Sequence, residues 1–474
     1  LLYNAHPLNW KNPEPQKKYN LVVIGGGTAG LISAAAASFL GAKVALIEKH
    51  LLGGDCLNTG CVPSKAIIRS SRIVADIRKA HKYGIKLPIE SVEIDFPEVM
   101  KRMRRLRARI SEHDSAMRFS EMGVDVFFGT GRFKDKHTIE VDGKNLRFSK
   151  AIIATGSRAF HPEIEGIAEA GYLTNETVFS LTKKPERLAV IGGGPIGCEL
   201  SQAFSRLGCK VVLLHKNAHI LDREDGDAAE ILQRSFIDEG IELILNCNIK
   251  KVEKDGSKKI IYFESQGVED RVIVDEILVG VGRAPNVEDL NLEAVGIEYD
   301  TRRGIFVNDQ LQTSNHNIYA AGDVCLKYKF THTADATARI AVQNALFLGR
   351  KKQSLLTVPW CTYTDPEIAH VGMYERDAAH RGIKVKTFTK QLSSVDRAVL
   401  DGEEDGFVKI HTKAGTDKII GATIVAPHAG EMINEITLAM VNNIGLKSIS
   451  STIHPYPTKA EAIRSAADLY NRTR

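Results

Sequence analysis

The chain has 474 residues, enough for two to four domains with large cores, and its 43% hydrophobic and 26% charged residues are typical of a globular protein. The formal net charge of +5 is small for this length and does not favour nucleic acid or an anionic membrane as a partner. Seven cysteines spread over so long a chain do not resemble the disulfide framework of a small secreted protein, which favours a reducing, cytoplasmic compartment.

The N-terminal residues give no sign of a signal peptide or a membrane span. Residues 1–20 are polar and lack the apolar core of a secretory signal. Residues 21–42 carry no charge, but a run of three glycines interrupts them soon after a strand-like start. We therefore expect no association with a membrane.

The first predicted unit is a strand, a glycine-rich turn, a helix and a second strand, within residues 21–47. In the turn, GGGTAG, the glycines Gly25, Gly27 and Gly30 let the backbone approach a pyrophosphate, and the helix start offers its N–H groups to the phosphates. Glu48 follows Gly25 by 23 residues, where a carboxylate accepts hydrogen bonds from ribose hydroxyls. This unit predicts a dinucleotide site.

Two cysteines five positions apart follow closely, in the segment GGDCLNTGCVPSK at 53–65. Closely spaced cysteines are common, but these belong to the same unit as the dinucleotide fingerprint. Cys56 and Cys61 therefore predict a redox-active disulfide that accepts two electrons from a bound flavin. Because only a thiolate attacks an electrophile or binds a soft metal, we expect a low thiol pKa, which a helix beginning at this loop would favour.

The stretch between this unit and the next is predicted to be helical and then β. The basic run at 101–109 is interpreted as the solvated face of a helix with its Met and Leu side chains turned inward, rather than as a polyanion site. Residues 138–149 predict a hairpin around an Asp-Gly turn. The apolar run before Thr155 and Gly156 predicts a buried strand that closes the first unit.

Residues 188–214 repeat the strand, turn, helix and strand, with the turn GGGPIG beginning at Gly192. The position 23 residues after Gly192 holds His215 instead of an acid. A carboxylate there would bind a free 2′-hydroxyl and repel a 2′-phosphate, whereas basic side chains could pair with that phosphate. The basic residues available are His215, Lys216, His219 and Arg223. We therefore predict FAD in the first unit and NADPH in the second, with NADH still open as the donor.

Two further motifs follow the second unit. A strand at 277–281 leads into Gly282 and Arg283, and the segment 313–323 predicts a short strand that ends in Gly322 and Asp323. A carboxylate at the carboxyl end of a strand lies where ligands bind in open α/β sheets. From about residue 353 the pattern changes to strands and amphipathic helices without a glycine fingerprint, which indicates a separate C-terminal domain.

In this order, the motifs resemble those of the class I flavoprotein disulfide reductases, among them dihydrolipoyl dehydrogenase, glutathione reductase and mercuric reductase. The resemblance covers residues 20 to about 468 and rests on GGGTAG, GGDCLNTGCVPSK, ATG, GGGPIGCE, VGRAPN and TSNHNIYAAGD. It implies a homodimer with an α/β fold: two Rossmann-like nucleotide-binding domains, for FAD and NAD(P), and a C-terminal α+β dimerisation domain. The implied parts are an N-terminal extension at 1–18, the FAD-binding domain at 19–168, the NAD(P)-binding domain at 169–288, a second part of the FAD and central domain at 289–352, and the dimerisation domain at 353–474.

The resemblance also implies roles for single residues. Cys61 would be the thiolate in charge transfer with the flavin, and Cys56 the outer thiol that meets substrate. Lys65 matches the family lysine near flavin N5, and Glu199 its carboxylate partner, which keeps a buried lysine charged. The residues expected to bind the two dinucleotides are Gly25, Gly27, Gly30, Glu48, Gly54, Lys65, Thr155, Gly156, Gly192, Gly194, Gly197, His215, Lys216, Gly282, Arg283, Gly322 and Asp323.

The C-terminal segment departs from the family pattern. Disulfide reductases carry His-Pro-Thr there with a Glu five residues after the His, and this pair reaches in from the partner subunit to protonate the leaving thiolate. Counting back five from Glu461 gives Tyr456, and the following Pro-Thr then aligns as well. The alternative aligns His454 and accepts a two-residue insertion. A tyrosine, with an unperturbed pKa of about 10, is a poor proton shuttle but can line a soft-metal pocket.

Tyrosine at this position resembles mercuric reductase, which implies Cys56 and Cys61 as ligands of a Hg(II) substrate. The sequence shows neither a vicinal Cys-Cys near its C-terminus nor an N-terminal domain with CxxC, so mercury is expected to reach Cys56 directly. The leading hypothesis is thus an NADPH- and FAD-dependent reductase of a soft metal or another small electrophile. The alternatives are a dihydrolipoyl-dehydrogenase-like enzyme that uses His454, and a binding or sensing flavoprotein that turns over slowly with oxygen or quinones.

Overall fold

The computed structural model describes residues 1–88, 91–347 and 349–472. Its helices are α1 Leu2–Ala5, α2 Thr28–Phe39, α3 Gly54–Asn58, α4 Cys61–Lys79, α5 Phe96–Ile110, α6 Ala116–Glu121, α7 Ile167–Ala170, α8 Pro195–Arg206, α9 Gly226–Asp238, α10 Thr331–Leu346, α11 Glu375–His380, α12 Asp396–Leu400, α13 Ala429–Val441, α14 Leu446–Ser451 and α15 Glu461–Asn471. Within these ranges, no helix is both long and apolar enough to cross a membrane.

The strands form several sheets. They are β1 Tyr19–Ile24, β2 Val44–Glu48, β3 Val124–Phe128, β4 Arg132–Asp135, β5 Thr138–Val141, β6 Lys144–Ile153, β7 Ser157–Ala159, β8 Arg187–Ile191, β9 Lys210–Leu214, β10 Glu242–Ile244, β11 Cys247–Asp255, β12 Lys258–Ser265, β13 Val268–Val274, β14 Glu276–Val279, β15 Arg283–Pro285, β16 Tyr299–Asp300, β17 Gly304–Ile305, β18 Ile318–Ala320, β19 Pro359–Thr362, β20 Glu367–Gly372, β21 Val385–Gln391, β22 Phe407–Lys413 and β23 Ile419–Ala426.

The first sheet is a parallel Rossmann-like sheet with the order β3-β2-β1-β6 and with β18 beside β6. The last half of β6 pairs with β1 and β18, while its first half forms the predicted hairpin with β5. Both faces of this sheet are covered, which explains why β1 and β2 are almost continuous apolar runs. On one face α2 and α10 supply the core around Leu21, Val23 and Leu46.

The second sheet is also parallel, in the order β10-β9-β8-β14. An antiparallel meander of β11, β12 and β13 packs beside it around a shared apolar core. The C-terminal region has a five-stranded antiparallel sheet, β19-β20-β23-β22-β21, whose core includes Ile433 of α13 and Ile463 of α15. These three units confirm the expected fold class of two Rossmann-like domains and a C-terminal α+β domain.

The N-terminal residues before β1 lie across the edge of the first sheet. The side chain of Asn12 pairs with both backbone groups of Phe128 at 2.8 Å, and the indole of Trp10 donates to the carbonyl of Val126. The carbonyl of Ala5 accepts a hydrogen bond from the N–H of Leu52, just before the cysteine segment. The N-terminal residues therefore cover the outer edge of β3. An edge strand left uncovered would expose backbone groups that can pair with another chain.

Candidate active site

The cysteine segment lies directly on the first glycine turn. Gly54 has a φ of +56°, and a Cβ on it would come within 2.5 Å of the Cα of Gly27. Two short helices carry the thiols: Cys56 is in α3, and Cys61 is the first residue of α4. Both are free thiols within hydrogen-bonding reach of each other. The fold thus brings the two sequence motifs, the thiols and the dinucleotide turn, into one site.

The thiols differ in acidity. The hydrogen bond from Cys56 lowers the pKa of Cys61 to about 6, with burial opposing it and with Thr331 and Lys65 contributing in the same direction. The same hydrogen bond to Cys61, together with burial, raises the pKa of Cys56. The reduced pair therefore holds its negative charge on Cys61 and its proton on Cys56, as a single coupled system.

Lys65 and Glu199 form an ion pair between α4 and α8. The Nζ atom of Lys65 lies 2.7 Å from Oε2 of Glu199, whose side chain is only 6% exposed. The other carboxylate oxygen accepts the backbone N–H of Tyr363 at 2.9 Å, and Lys65 lies 4.4 Å from the centre of the Tyr363 ring. The positive charge of Lys65 beside the thiols is thereby fixed in place and matched by a buried carboxylate.

The first glycine turn is shaped for close contact with a dinucleotide. A Cβ on Gly25 would lie 2.3 Å from the carbonyl oxygen of Ala154, and one on Gly30 would lie 1.7 Å from that of Gly25. Glu48 ends β2 with its carboxylate accepting the N–H groups of Gly26 and His50, both at 2.6 Å. The tight turn, the start of α2 and this acid fit the pyrophosphate and ribose of FAD.

A second group of predicted cofactor residues converges from three parts of the chain. Arg283 lies between Asp55, at 3.2 Å, and Asp323, at 3.7 Å, and Asp323 also accepts the hydroxyl of Ser157 at 2.6 Å. Thr155 exchanges hydrogen bonds with Asn286. Three predicted glycines have positive φ values that other residues rarely adopt, namely Gly156 at +70°, Gly282 at +131° and Gly322 at +78°. These segments meet beside Asp55, the neighbour of Cys56.

The second glycine turn has the same construction as the first. A Cβ on Gly192 would lie 2.5 Å from the carbonyl oxygen of Gly280, and one on Gly197 would lie 1.9 Å from that of Gly192. The ideal Cβ position of Gly194 has no atom within 4 Å, so space remains above the start of α8 for a ligand. The turn therefore fits a second dinucleotide.

The basic residues after β9 have different surroundings. His215 is buried and its Nδ1 accepts the N–H of Gly193 at 3.0 Å, and burial lowers its pKa. It is therefore a neutral acceptor here and not the cation expected to pair with a 2′-phosphate. Lys216 and Arg223 are exposed, and the His219 ring contacts the carbonyl of Ile220. Lys216 and Arg223 are therefore the side chains of this group whose positive charges are exposed and could pair with a 2′-phosphate.

The three C-terminal candidates divide into two groups. Tyr456 is 70% exposed and donates to Asp396 at 2.9 Å, and its pKa is raised by that hydrogen bond, with the negative charge of Glu461 contributing. His454 is buried and its Nε2 lies 2.9 Å from the carboxylate of Glu435. Tyr456 therefore has Asp396 as its hydrogen-bond partner, and His454 has Glu435. Among the described residues, no hydrogen bond joins these side chains to Cys56 or Cys61 of the same chain.

Several site residues were not predicted from the sequence. Thr331 begins α10 and its hydroxyl lies 3.5 Å from the sulfur of Cys61. Asn175 donates to Asp55 at 3.0 Å, and Tyr363 covers Lys65. Each comes from a segment far along the chain, so local patterns carried no signal for them.

The basic run in α5 differs from its sequence interpretation. Met103 is buried and Lys101, Arg105 and Arg109 are exposed, as expected, but the other three arginines bind backbone carbonyls. Arg107 donates to the carbonyl of Asn58 at the end of α3, Arg102 to Ala66 in α4, and Arg104 to Phe179 and Leu181. Arg107 and Arg102 thus bind carbonyls in and next to the cysteine segment, and Arg104 binds those of a more distant loop.

Two protein-family descriptions match the chain. The pyridine nucleotide-disulphide oxidoreductase model matches residues 19–338, and the dimerisation domain of the same family matches residues 358–467. The chain belongs to the pyridine nucleotide-disulphide oxidoreductase family. Members of this family use FAD and NAD(P)H, the two dinucleotides that the glycine turns fit, and the expected family membership is confirmed.

Relatives of this oxidoreductase span nearly the whole chain. A mercuric reductase of Staphylococcus aureus is 36% identical over 96% of this chain and 83% of its own length. A dihydrolipoyl dehydrogenase of Chlamydia trachomatis is 34% identical over 95% of this chain and 96% of its own. Among solved structures, the Cu(II) complex of the HOCl-induced flavoprotein disulfide reductase RclA from Escherichia coli superposes with a TM-score of 0.84 at 26% identity, covering 94% of this chain and 98% of that one.

Proposed function

We propose that this oxidoreductase uses NADPH to reduce a soft metal ion of the Hg(II) type at Cys56 and Cys61. FAD, when bound, supplies the electron pair that opens the disulfide between these cysteines. Cys61 then holds a thiolate, Cys56 a proton, and Lys65 a fixed positive charge beside them. A soft metal binds two thiolates in preference to harder ligands, and its binding releases the proton of Cys56. As the metal takes two electrons the sulfurs rejoin as a disulfide, which closes the electron balance.

The observation that carries this proposal is the chemistry of Tyr456. A disulfide substrate leaves as a thiolate that needs a proton, which a histidine paired with a glutamate supplies well and a tyrosine supplies poorly. Here Tyr456 lies five residues before Glu461 and is exposed, whereas His454, although paired with Glu435, is buried. Metal reduction needs no proton donor of this kind. The similarity to mercuric reductases agrees with this choice of acceptor.

We also propose a homodimer in which Tyr456 approaches the thiols of the partner. The match to a dimerisation domain supports it, as do large apolar side chains that the single chain leaves exposed. Leu438 and Val441 of α13 are 63% and 58% exposed, and Ile453 is 92% exposed. Apolar side chains at this exposure favour burial against another surface. Leu438→Asp should shift the mass measured by light scattering from dimer to monomer.

The decisive experiment is an anaerobic titration of the holoenzyme with NADPH, followed by candidate acceptors. Long-wavelength absorbance at two-electron reduction would report the thiolate beside the flavin, and Hg(II) should abolish it while oxidised lipoamide and oxidised glutathione should not. Reoxidation by lipoamide instead would replace the proposal with a dihydrolipoyl-dehydrogenase-like function. The similarity to dihydrolipoyl dehydrogenases supports that alternative. Reoxidation by oxygen or quinones alone would favour a sensing role.

Two variants separate these outcomes further. Tyr456→Phe keeps the ring and removes the hydroxyl, and should lower Hg(II)-dependent NADPH oxidation by about tenfold, the worth of one good hydrogen bond at a reacting centre. His454→Gln keeps a polar group beside Glu435 and should leave that rate unchanged. The opposite result, with His454→Gln impaired and Tyr456→Phe active, would assign the C-terminal role to the histidine.

A further inference from the structure

Residues 1–12, here called the N-terminal segment, lie outside the part of the chain that the family model matches, which begins at residue 19. They are nevertheless packed into the first Rossmann-like unit. Ala5 is fully buried in the core of that unit, and Asn12 is paired with the backbone of its edge strand β3. The segment is therefore held at two points, and His6 lies between them.

The side chain of His6 joins the ends of two neighbouring strands. Its Nδ1 atom lies 2.5 Å from the carbonyl oxygen of His50, two residues after β2, and because a carbonyl oxygen only accepts, Nδ1 is the donor. Its ring stacks on that of Phe128, the last residue of β3, with the ring centres 4.0 Å apart and the planes within 10° of parallel. His6 thus connects the carboxyl ends of β2 and β3, at the edge of a parallel sheet where ligands bind.

The loop that receives these contacts also supports the first glycine turn. Glu48, the acid expected to bind a ribose, accepts the N–H of His50 at 2.6 Å. Further along the loop, the N–H of Leu52 donates to the carbonyl of Ala5 at 3.0 Å. The side chain of Leu52 in turn covers the glycine turn, since a Cβ on Gly26 would come within 2.5 Å of it. The N-terminal segment therefore binds the same loop that carries the ribose acid and packs on the turn.

We propose that the N-terminal segment completes the FAD site and that His6 is a positioning residue for its adenosine half. The ribose of that half is expected at Glu48. By binding the carbonyl of His50 and stacking on Phe128, His6 fixes the ends of the two strands beside this acid. Loss of both contacts should loosen the loop after β2 and speed the release of FAD. The inference takes FAD as the ligand of the first turn and depends on neither the electron donor nor the acceptor.

The test follows the release of FAD from the oxidised holoenzyme by flavin fluorescence, in urea below the unfolding transition. His6→Ala removes the hydrogen bond and the stacked ring and should speed release by at least about tenfold. His6→Asn keeps an N–H close to the position of Nδ1 and should release FAD more slowly than His6→Ala.

Asn12→Ala is the matched control from the same segment. Its side chain binds the backbone of Phe128 as well, but among the described residues none of its hydrogen bonds reaches the loop after β2. This variant should release FAD within about threefold of the native rate, as expected for a substitution away from the site.

Circular dichroism recorded in parallel separates positioning from folding. We expect FAD to leave His6→Ala while the ellipticity stays native. Simultaneous loss of flavin and ellipticity would make His6 a support of the fold and overturns the inference. A native release rate in His6→Ala, an equal acceleration in Asn12→Ala, or equal rates in His6→Ala and His6→Asn overturns it too. Neither NADPH nor an acceptor is present, so the result is independent of the proposed function.

Discussion

The hydroxyl oxygen of Thr331 lies 3.5 Å from the sulfur of Cys61. Thr331 is the first residue of α10, and Cys61 is the first residue of α4, so two helix N-termini meet at one sulfur atom. Each N-terminus carries a partial positive charge that stabilises an anion. Thr331 lowers the pKa of both cysteines, so it stabilises the thiolate without choosing between them. The hydrogen bond from Cys56 and the charge of Lys65 place the negative charge on Cys61.

Removing the hydroxyl of Thr331 should raise the pKa of Cys61. Thr331→Val keeps the shape of the side chain but loses a hydrogen bond to a charged sulfur, which is worth roughly 1.5–3 kcal/mol, or about one to two pKa units. Thr331→Ser is the control that retains the hydroxyl. The pH dependence of thiolate absorbance in the reduced enzyme measures the effect, and equal pKa values in both variants would show that the contact contributes nothing.

The reactivity of the reduced enzyme should fall in acid. The pKa of Cys61 is lowered to about 6, so the thiolate predominates above that pH and is lost as the pH falls through it. The alkylation rate by iodoacetamide should therefore drop about tenfold for each pH unit below 6, as the thiolate fraction does. Cys61→Ser serves as the control: it removes the thiolate that contributes most to the raised pKa of Cys56, and burial is then the main cause that keeps that pKa raised. Alkylation of the remaining thiol should therefore begin only at a higher pH than in the native enzyme. A rate that rises only near the pKa of an ordinary thiol would contradict the assigned polarity.

The sequence predicted those parts of the site that depend on local geometry. Gly30 is required by a contact within the turn, with the carbonyl of Gly25, and the position of Glu48 follows from the length of one strand–helix–strand unit. The contact that requires Gly25 comes from Ala154, directly after β6, and only the glycine pattern of the turn indicated it. Lys65 and Glu199 were paired only through the family resemblance. Thr331 lies 270 residues from Cys61, so no local periodicity could place it there.

The interpretation of His215 shows a different limit of the sequence. Its position after β9 was correctly recognised as that of the fingerprint acid. The sequence did not predict that the ring is neutral. The protonation of His215 depends on which ring nitrogen faces Gly193 and on burial by neighbouring side chains. The arginines of α5 show the same limit, since Arg107 finds the carbonyl of Asn58 only when α5 packs beside the cysteine segment. A sequence shows which residues are charged, but the tertiary structure decides which groups they bind.

Arg206 should be essential to the stability of the contact between the second Rossmann-like unit and the C-terminal domain. Its side chain is 2% exposed and binds Glu239 and Asp365, with N···O distances of 2.6–2.7 Å. Arg206→Met would remove the main cationic partner of both carboxylates and leave Gln202 as a donor to Glu239 and Lys79 at 3.9 Å from Asp365. The cost should be up to about 3–5 kcal/mol, and the thermal midpoint should fall by several degrees. Arg187→Met, which breaks the exposed pair with Glu242, should change it little. Calorimetric scans of both variants make the comparison, and similar midpoints would refute it.

The pairing of Asn12 with Phe128 should protect the edge of the first sheet. The amide of Asn12 supplies both a donor and an acceptor to the backbone of Phe128, as a neighbouring strand would. Asn12→Ala removes both, and hydrogen exchange in the peptide 124–128 should become about tenfold faster, which corresponds to one lost hydrogen bond. Asn12→Asp keeps an acceptor for the N–H of Phe128 and should retain most of the protection. Exchange that is equally slow in Asn12→Ala would mean that the packing of Trp10 alone covers this edge.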